Sequence, residues 1–393
     1  MMVHDMKRQK SRGAGFARPL RPAARGFQGI GFLCLVLQLF LTGPLFAADW
    51  PMFRGNAQNT GRAEGSFPLK PDILWSFRAE DSIESTAAIV GDSVYTASLD
   101  GQVYGLNFKD GKLKWTYKTG DEIKSSPAVW GDMVYIGDQA GFLHALNRHT
   151  GKLLWKFETE GDVVSSCLFE KGMVIFGSYD AKIYALDAKT GKKKWEMETD
   201  GYIHGTPALA GNELVISGCD ATMRILNVDS GKQRGEPIEM DGYVASSPLV
   251  LNGRAYMGTF ENQVRCVDVA TQKILWQYEY TERQFPYYSS PATTGEILII
   301  GGRDKILHAI DMKTGKSKWT FTTRSKIDSS PVVIGDRVIF GDMAGKLYQL
   351  THADGKKVWE YDTGDSVIAS PAISDGKMVI GLDNGLVLCM GKK

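Results

Sequence analysis

Between residues 124 and 158 the apolar positions fall in four short runs, SSPAVW, MVYIG, FLHALN and LLWKFE. Each is rich in β-branched and aromatic residues, and Gly or Asp parts it from the next. Runs of this length and make-up predict strands, and nothing after residue 48 sustains the 3.6-residue apolar period of a helix. The pattern returns along the chain with one line between its third and fourth runs: NFKDGKLKW (107–115), NRHTGKLLW (147–155), DAKTGKKKW (187–195), DMKTGKSKW (311–319) and THADGKKVW (351–359). Four strands per unit of roughly 40 residues is the arithmetic of a β-propeller blade.

Two landmarks count the units. Tryptophan stands at 75, 115, 155, 195, 276, 319 and 359, with Gly235 in the fifth register. A small-residue doublet, usually SSP, has its second member at Thr86, Ser126, Ser166, Thr206, Ser247, Ser290, Ser330 and Ser370. From doublet to the next tryptophan position the spacing is always 29. From tryptophan to doublet it is 11, except 12 after Gly235 and 14 after Trp276, so length varies in one connection only.

With strands lettered A to D from the axis outward, A strands are expected to begin near 84, 124, 164, 204, 245, 288, 328 and 368. The first outer strand, 73–77, precedes every A strand, and the last A–B–C set ends at 386–390 without a D strand. Pairing 73–77 with 386–390 closes the ring. The expected fold is all-β, an eight-bladed propeller of four-stranded antiparallel blades over 73–393, preceded by an extension at 49–72. The turn glycines 111, 151, 191, 231, 315 and 355 should be left-handed, with Gln272 the exception.

The tryptophans read as structural docking residues: Trp75, Trp115, Trp155, Trp195, Trp276, Trp319 and Trp359. Each outer-strand indole facing the next blade buries roughly 150–250 Å², at most about 4–6 kcal/mol per contact. A cofactor would need one such ring, not seven. Gly235 predicts the weakest junction.

Composition alters this picture only at the start. Residues 1–48 hold seven bases and one acid, then IGFLCLVLQLFL (30–41) and TGPLFAA ending at Ala48. That order predicts a secretory signal peptide cleaved near Ala48, and a second reading keeps it as an uncleaved anchor. The apolar run is short for a membrane span of about 20 residues. Without it, 46 bases and 45 acids become 39 and 44, a net charge near −5, which argues against a nucleic-acid partner. The expected location is the periplasm or another exported, cell-envelope site. Cys167, Cys219, Cys266 and Cys389 are isolated, which predicts buried thiols rather than disulfides or a zinc site.

Candidate binding residues come from the D–A connections. The residue before each doublet varies: Glu84, Lys124, Val164, His204, Ala245, Tyr288, Asp328 and Ile368. These form a ring at the channel mouth, either pairing their charges across it or binding a polar ligand or peptide. The longest connection, QYEYTERQFPYYSSP (277–291), adds Arg283, Phe285 and Tyr287, residue types enriched in binding hot spots. His204 has no second His or Cys at ligand spacing, so no metal site is expected. No G-x-S-x-G, phosphate loop or dinucleotide fingerprint occurs, so no catalytic residues are expected.

The repeated lines ending in tryptophan resemble the eight-bladed quinoprotein (PQQ-type) propellers with tryptophan-docking motifs. DWPMFRGNAQNTGR (49–62) looks like the opening of many PQQ-like repeat proteins. One branch of that family, the alcohol and sugar dehydrogenases, implies pyrroloquinoline quinone and calcium at the propeller mouth. It also implies an adjacent cysteine pair, a tryptophan floor, an Asp base, and Glu and Asn ligands. This chain has no Cys-Cys pair, and its connections are minimal. The BamB-like branch implies a single, nearly insertion-free propeller without quinone, acting as a scaffold in outer-membrane protein assembly. The chain is similar to that build, although no lipobox is apparent around Cys34. The expectation is an exported, non-enzymatic scaffold without cofactor or metal, docking a protein partner, with membrane contact only through that partner or an uncleaved N-terminal segment. The alternatives are a PQQ- and calcium-dependent dehydrogenase, and a small-ligand or polysaccharide binder.

Overall fold

The computed structural model describes residues 49–393; the signal segment read at 1–48 lies outside the described residues. Eight sheets form a propeller. Seven blades use consecutive strands, as in blade 2: Ala128–Trp130, Met133–Gly137, Phe142–Asn147 and Leu153–Glu158. The middle strands of a blade lie between two neighbouring blades, so both their faces are buried (VYTA, 94–97; LHAL, 143–146). Outer strands alternate, with one face on water.

The eighth blade is built from both chain ends. Asp72–Arg78 pairs antiparallel with Leu386–Gly391, matching Ile73 to Met390, Ser76 to Leu388 and Phe77 to Val387. The expected closure is present. The borrowed strand even keeps the bulge beside its tryptophan that outer strands such as Leu113–Lys118 show.

Six indoles follow one rule. Trp75, Trp115, Trp155, Trp195, Trp276 and Trp319 donate Nε1–H to a backbone carbonyl of the next blade at 2.8–3.2 Å. Each ring also lies over the turn glycine of that blade. Gly111 shows why the residue is glycine: φ is +72°, and a Cβ there would stand 2.6 Å from Trp75 Cε3. Trp359 faces blade 8, which has no C–D turn because its outer strand comes from the other end of the chain; its ring stacks on Tyr361 at 5.9 Å.

The A strands begin later than expected, at 88, 128, 168, 208, 249, 292, 332 and 372. The doublets lie just ahead of them, outside the sheets. Side chains replace the ladder there: Ser125 Oγ accepts from Gly137 N–H and donates to its carbonyl, both at 2.9 Å. The proline that follows has no N–H to offer a neighbouring strand. The second serine links blades instead, as Ser166 Oγ accepts the amide of Ser126 at 2.9 Å.

The extension lies along the inner edges of the blades. Trp50 bridges Ile89, and the carbonyls of Pro51, Ala57, Gln58, Thr60 and Gly61 accept amides of Val129, Leu209, Val250, Thr293 and Val333. Arg62–Ala63 then adds a parallel strand to Val332–Ile334. This segment closes the channel at the end opposite the D–A connections.

Candidate functional site

The open end of the channel is tiered. At the rim stand all eight residues that precede the doublets, around a cavity of about 120 Å³. Below them come the second doublet residues, with Phe53 of the extension also on the wall. One residue further along, the carbonyls of Pro291 and Pro331 accept Arg54 Nη2, and those of Pro207 and Pro248 accept Asn59 Nδ2. Arg54 and Asn59 are therefore the plug of the channel.

A chain of side chains crosses the rim. Arg303 forks onto Asp328 at 2.9 and 3.0 Å, and its guanidinium lies 4.4 Å from the Tyr288 ring centre. The Tyr288 hydroxyl is 3.3 Å from His204 Nε2, and the Tyr179 hydroxyl is 2.6 Å from His204 Nδ1. Tyr179 in turn stacks on Tyr202 at 5.0 Å. Tyr288 reaches His204 across blade 5 because the rim residue there is Ala245.

Burial governs the ionisation of this group. His204, enclosed by the two tyrosines and facing Lys124, has its pKa lowered to about 4, chiefly by desolvation and then by the lysine charge. Burial raises the Glu84 carboxyl, and Lys124 offsets part of that. Burial also raises the Tyr288 phenol, with Asp328 adding to the effect.

The long connection separates its expected residues. Phe285 is 50% exposed, and Arg283 is exposed with Nη1 on the Asp304 carbonyl at 3.2 Å. Tyr287 is 0% exposed, which corrects its expected place on the face. It occupies the position filled by Ile203 and Ile327 in other blades, an apolar knob that rests on the last B-strand glycine of the preceding blade, here Gly258. The aromatic density around the rim is also wider than the sequence reading gave. Tyr202 and Tyr243 are 55% and 61% exposed on the two preceding connections, and Tyr179, Phe260 and Arg303 come from B–C turns. These turns are tied to the connections by backbone bonds such as Tyr179 N–H to Asp162 carbonyl and Arg303 N–H to Pro286 carbonyl, so the face is a braced platform.

The rim does not fit a quinone–calcium centre. Both Asp328 oxygens are held by Arg303, leaving Glu84 as the other rim acid. Among the described residues no three His, Cys, Asp or Glu side chains group as metal ligands. The four cysteines among the described residues are free and apart, and the cavity is well below the roughly 300 Å³ at which small-molecule sites begin.

The family model described as outer membrane protein assembly factor BamB matches residues 71–125, 121–321 and 303–390. The chain belongs to this family. BamB from Moraxella catarrhalis superposes with a TM-score of 0.71 at 22% identity, over 82% of this chain and 98% of that one. The quinohemoprotein alcohol dehydrogenase from Comamonas testosteroni gives 0.75 at 16% identity, over 88% of this chain and 81% of that one. The computationally designed Ika8 protein gives 0.72 at 16%, over 81% and 99%. Identities this low speak for the propeller fold alone, which an assembly factor, an enzyme and a design share. Comparison with curated protein sequences gave no match.

Proposed function

We propose that the protein is an exported, non-enzymatic scaffold of the cell envelope that docks a protein partner on its D–A face, within outer-membrane protein assembly. The observation that carries this reading is the run of Tyr202, Tyr243 and Phe285, each at least half exposed on three consecutive connections. Soluble surfaces seldom cluster large aromatic side chains without a binding role, and interface cores are enriched in them. The backbone-braced platform beneath them means that docking requires little ordering of loops, which favours affinity. The family's named role and the poor fit of the rim to quinone and calcium support a scaffold over a dehydrogenase. Placement in the periplasm rests on the signal-like order of residues 1–48 and on the family.

The test is capture from envelope extracts with the wild type and with Tyr202→Ala, Tyr243→Ala and Phe285→Ala combined. The reading expects a specific protein held by the wild type and lost from the triple variant at unchanged melting temperature. Capture that survives all three substitutions removes the assignment. A quinone absorbance band and dye reduction after incubation with pyrroloquinoline quinone and calcium replaces it with the dehydrogenase.

A further inference from the structure

The axial cavity carries chemistry that partner docking does not use. Ser126, Ser166, Ser247, Ser290, Ser330 and Ser370 line it, and each Oγ accepts the amide N–H of the second doublet residue in the preceding blade at 2.8–3.0 Å. A hydroxyl has one hydrogen to donate beside its two lone pairs. None of the six donates to a protein acceptor among the described residues, so six O–H groups remain for whatever lies on the axis. Nearby carbonyls are already matched: those of Pro291 and Pro331 by Arg54, that of Pro248 by Asn59.

Arg54 supplies a second, independent observation. Its side chain is 0% exposed, its Nε and Nη1 have no partner, and no carboxylate of the described residues pairs with it. A buried charge without a counter-charge is costly, and an unmatched buried donor calls for an ion or water. The rim does not supply the missing charge, because Asp328 is matched by Arg303 and Glu84 faces Lys124. Positive charge thus lies one tier beneath the convergent hydroxyls, where Arg54 is held on the Pro291 and Pro331 carbonyls just beyond Ser290 and Ser330.

We propose that the axial cavity is a binding site for a single small inorganic anion of the halide class, held by the serine hydroxyls in the field of the Arg54 guanidinium. Its volume of about 120 Å³ has room for such an ion together with several waters. The site stands independently of the scaffold reading, since it uses the channel wall and not the exposed face.

The experiment pairs two readouts on the whole mature protein. Crystals soaked in millimolar bromide are measured at the bromine absorption edge, and melting is compared in sodium chloride and sodium gluconate at equal ionic strength. The expected result is an anomalous peak on the axis at the serine tier and a higher melting temperature in chloride. Each hydroxyl removed should weaken halide binding about tenfold. Ser290→Ala with Ser330→Ala should abolish both signals. Ser290→Thr with Ser330→Thr, which keeps the hydroxyls, should retain them and controls for folding. The proposal is overturned by an axis that shows only water, by equal melting in the two salts, or by a peak that persists in the alanine pair.

Discussion

Gly235 and Gln272 face each other across the junction of blades 4 and 5. They are the two positions at which the repeat loses its tryptophan and its turn glycine. Gln272 takes the left-handed conformation at φ +58°, and its Nε2 donates to the carbonyls of Arg234 and Glu236 at 2.9 and 3.3 Å. Where six of the other junctions have an indole N–H bond, Arg234 donates to the carbonyls of Val269 and Ala270 and forks onto Glu213. The outer strand of blade 4 shrinks to Ile238–Glu239.

A polar fork that is partly exposed holds this junction with less apolar burial than an indole gives. Amide exchange should therefore be fastest in blades 4 and 5, and Arg234→Ala should lower stability by about 1–3 kcal/mol, acting mainly there. Equal protection of every blade in a hydrogen-exchange experiment contradicts this ranking.

At a regular junction the two halves of the contact separate by mutation. Trp195→Phe removes the hydrogen bond to the Val228 carbonyl and should cost about 1 kcal/mol, while Trp195→Ala should cost about 3–5 kcal/mol. Gly231→Ala should be more harmful than alanine at an open turn such as Gly211, because its Cβ would enter the Trp195 ring. Urea denaturation of the four variants decides it; equal losses at Gly231 and Gly211 would refute the contact's role.

The serine links between blades carry a similar expectation. Ser166→Ala leaves the buried amide of Ser126 without its acceptor and should cost about 1–3 kcal/mol. A shift in denaturation midpoint within error of zero would show that water substitutes there.

His204 sets an acid limit. Its folded pKa of about 4 lies below the ordinary value of 6.5, so between these the unfolded chain binds the extra proton. Stability from this residue is complete above about pH 7 and falls as pH drops from 6.5 towards 4, by roughly 2–3 kcal/mol in all. In His204→Gln the pH dependence of stability across that window should flatten. An unchanged slope in the variant would mean that the imidazole is protonated in the native state.

Much of this was legible because propellers write each blade in the same register. The closing pair 73–77 with 386–390 follows from counting alone, and so do the turn glycines. The late start of the A strands was not legible, since a serine that replaces ladder hydrogen bonds has the same letters as one within a strand. Tyr287 misled for a related reason: an aromatic residue in a long connection reads as exposed, whereas its register, one residue before the rim, marks a buried knob. The missed rim residues had a signal. Tyr179, Phe260 and Arg303 each stand 13 positions after the second doublet residue, and following that column through all repeats brings out a second ring around the mouth.

The borrowed strand also dictates when the molecule becomes whole. Blade 8 needs residues 72–78 and residues 386–391 together, so a nascent chain carries its early strand unmated until residues 386–391 have left the ribosome. A chain that lacks residues 386–391 leaves the strand at 72–78 without its neighbour and the ring without its seal.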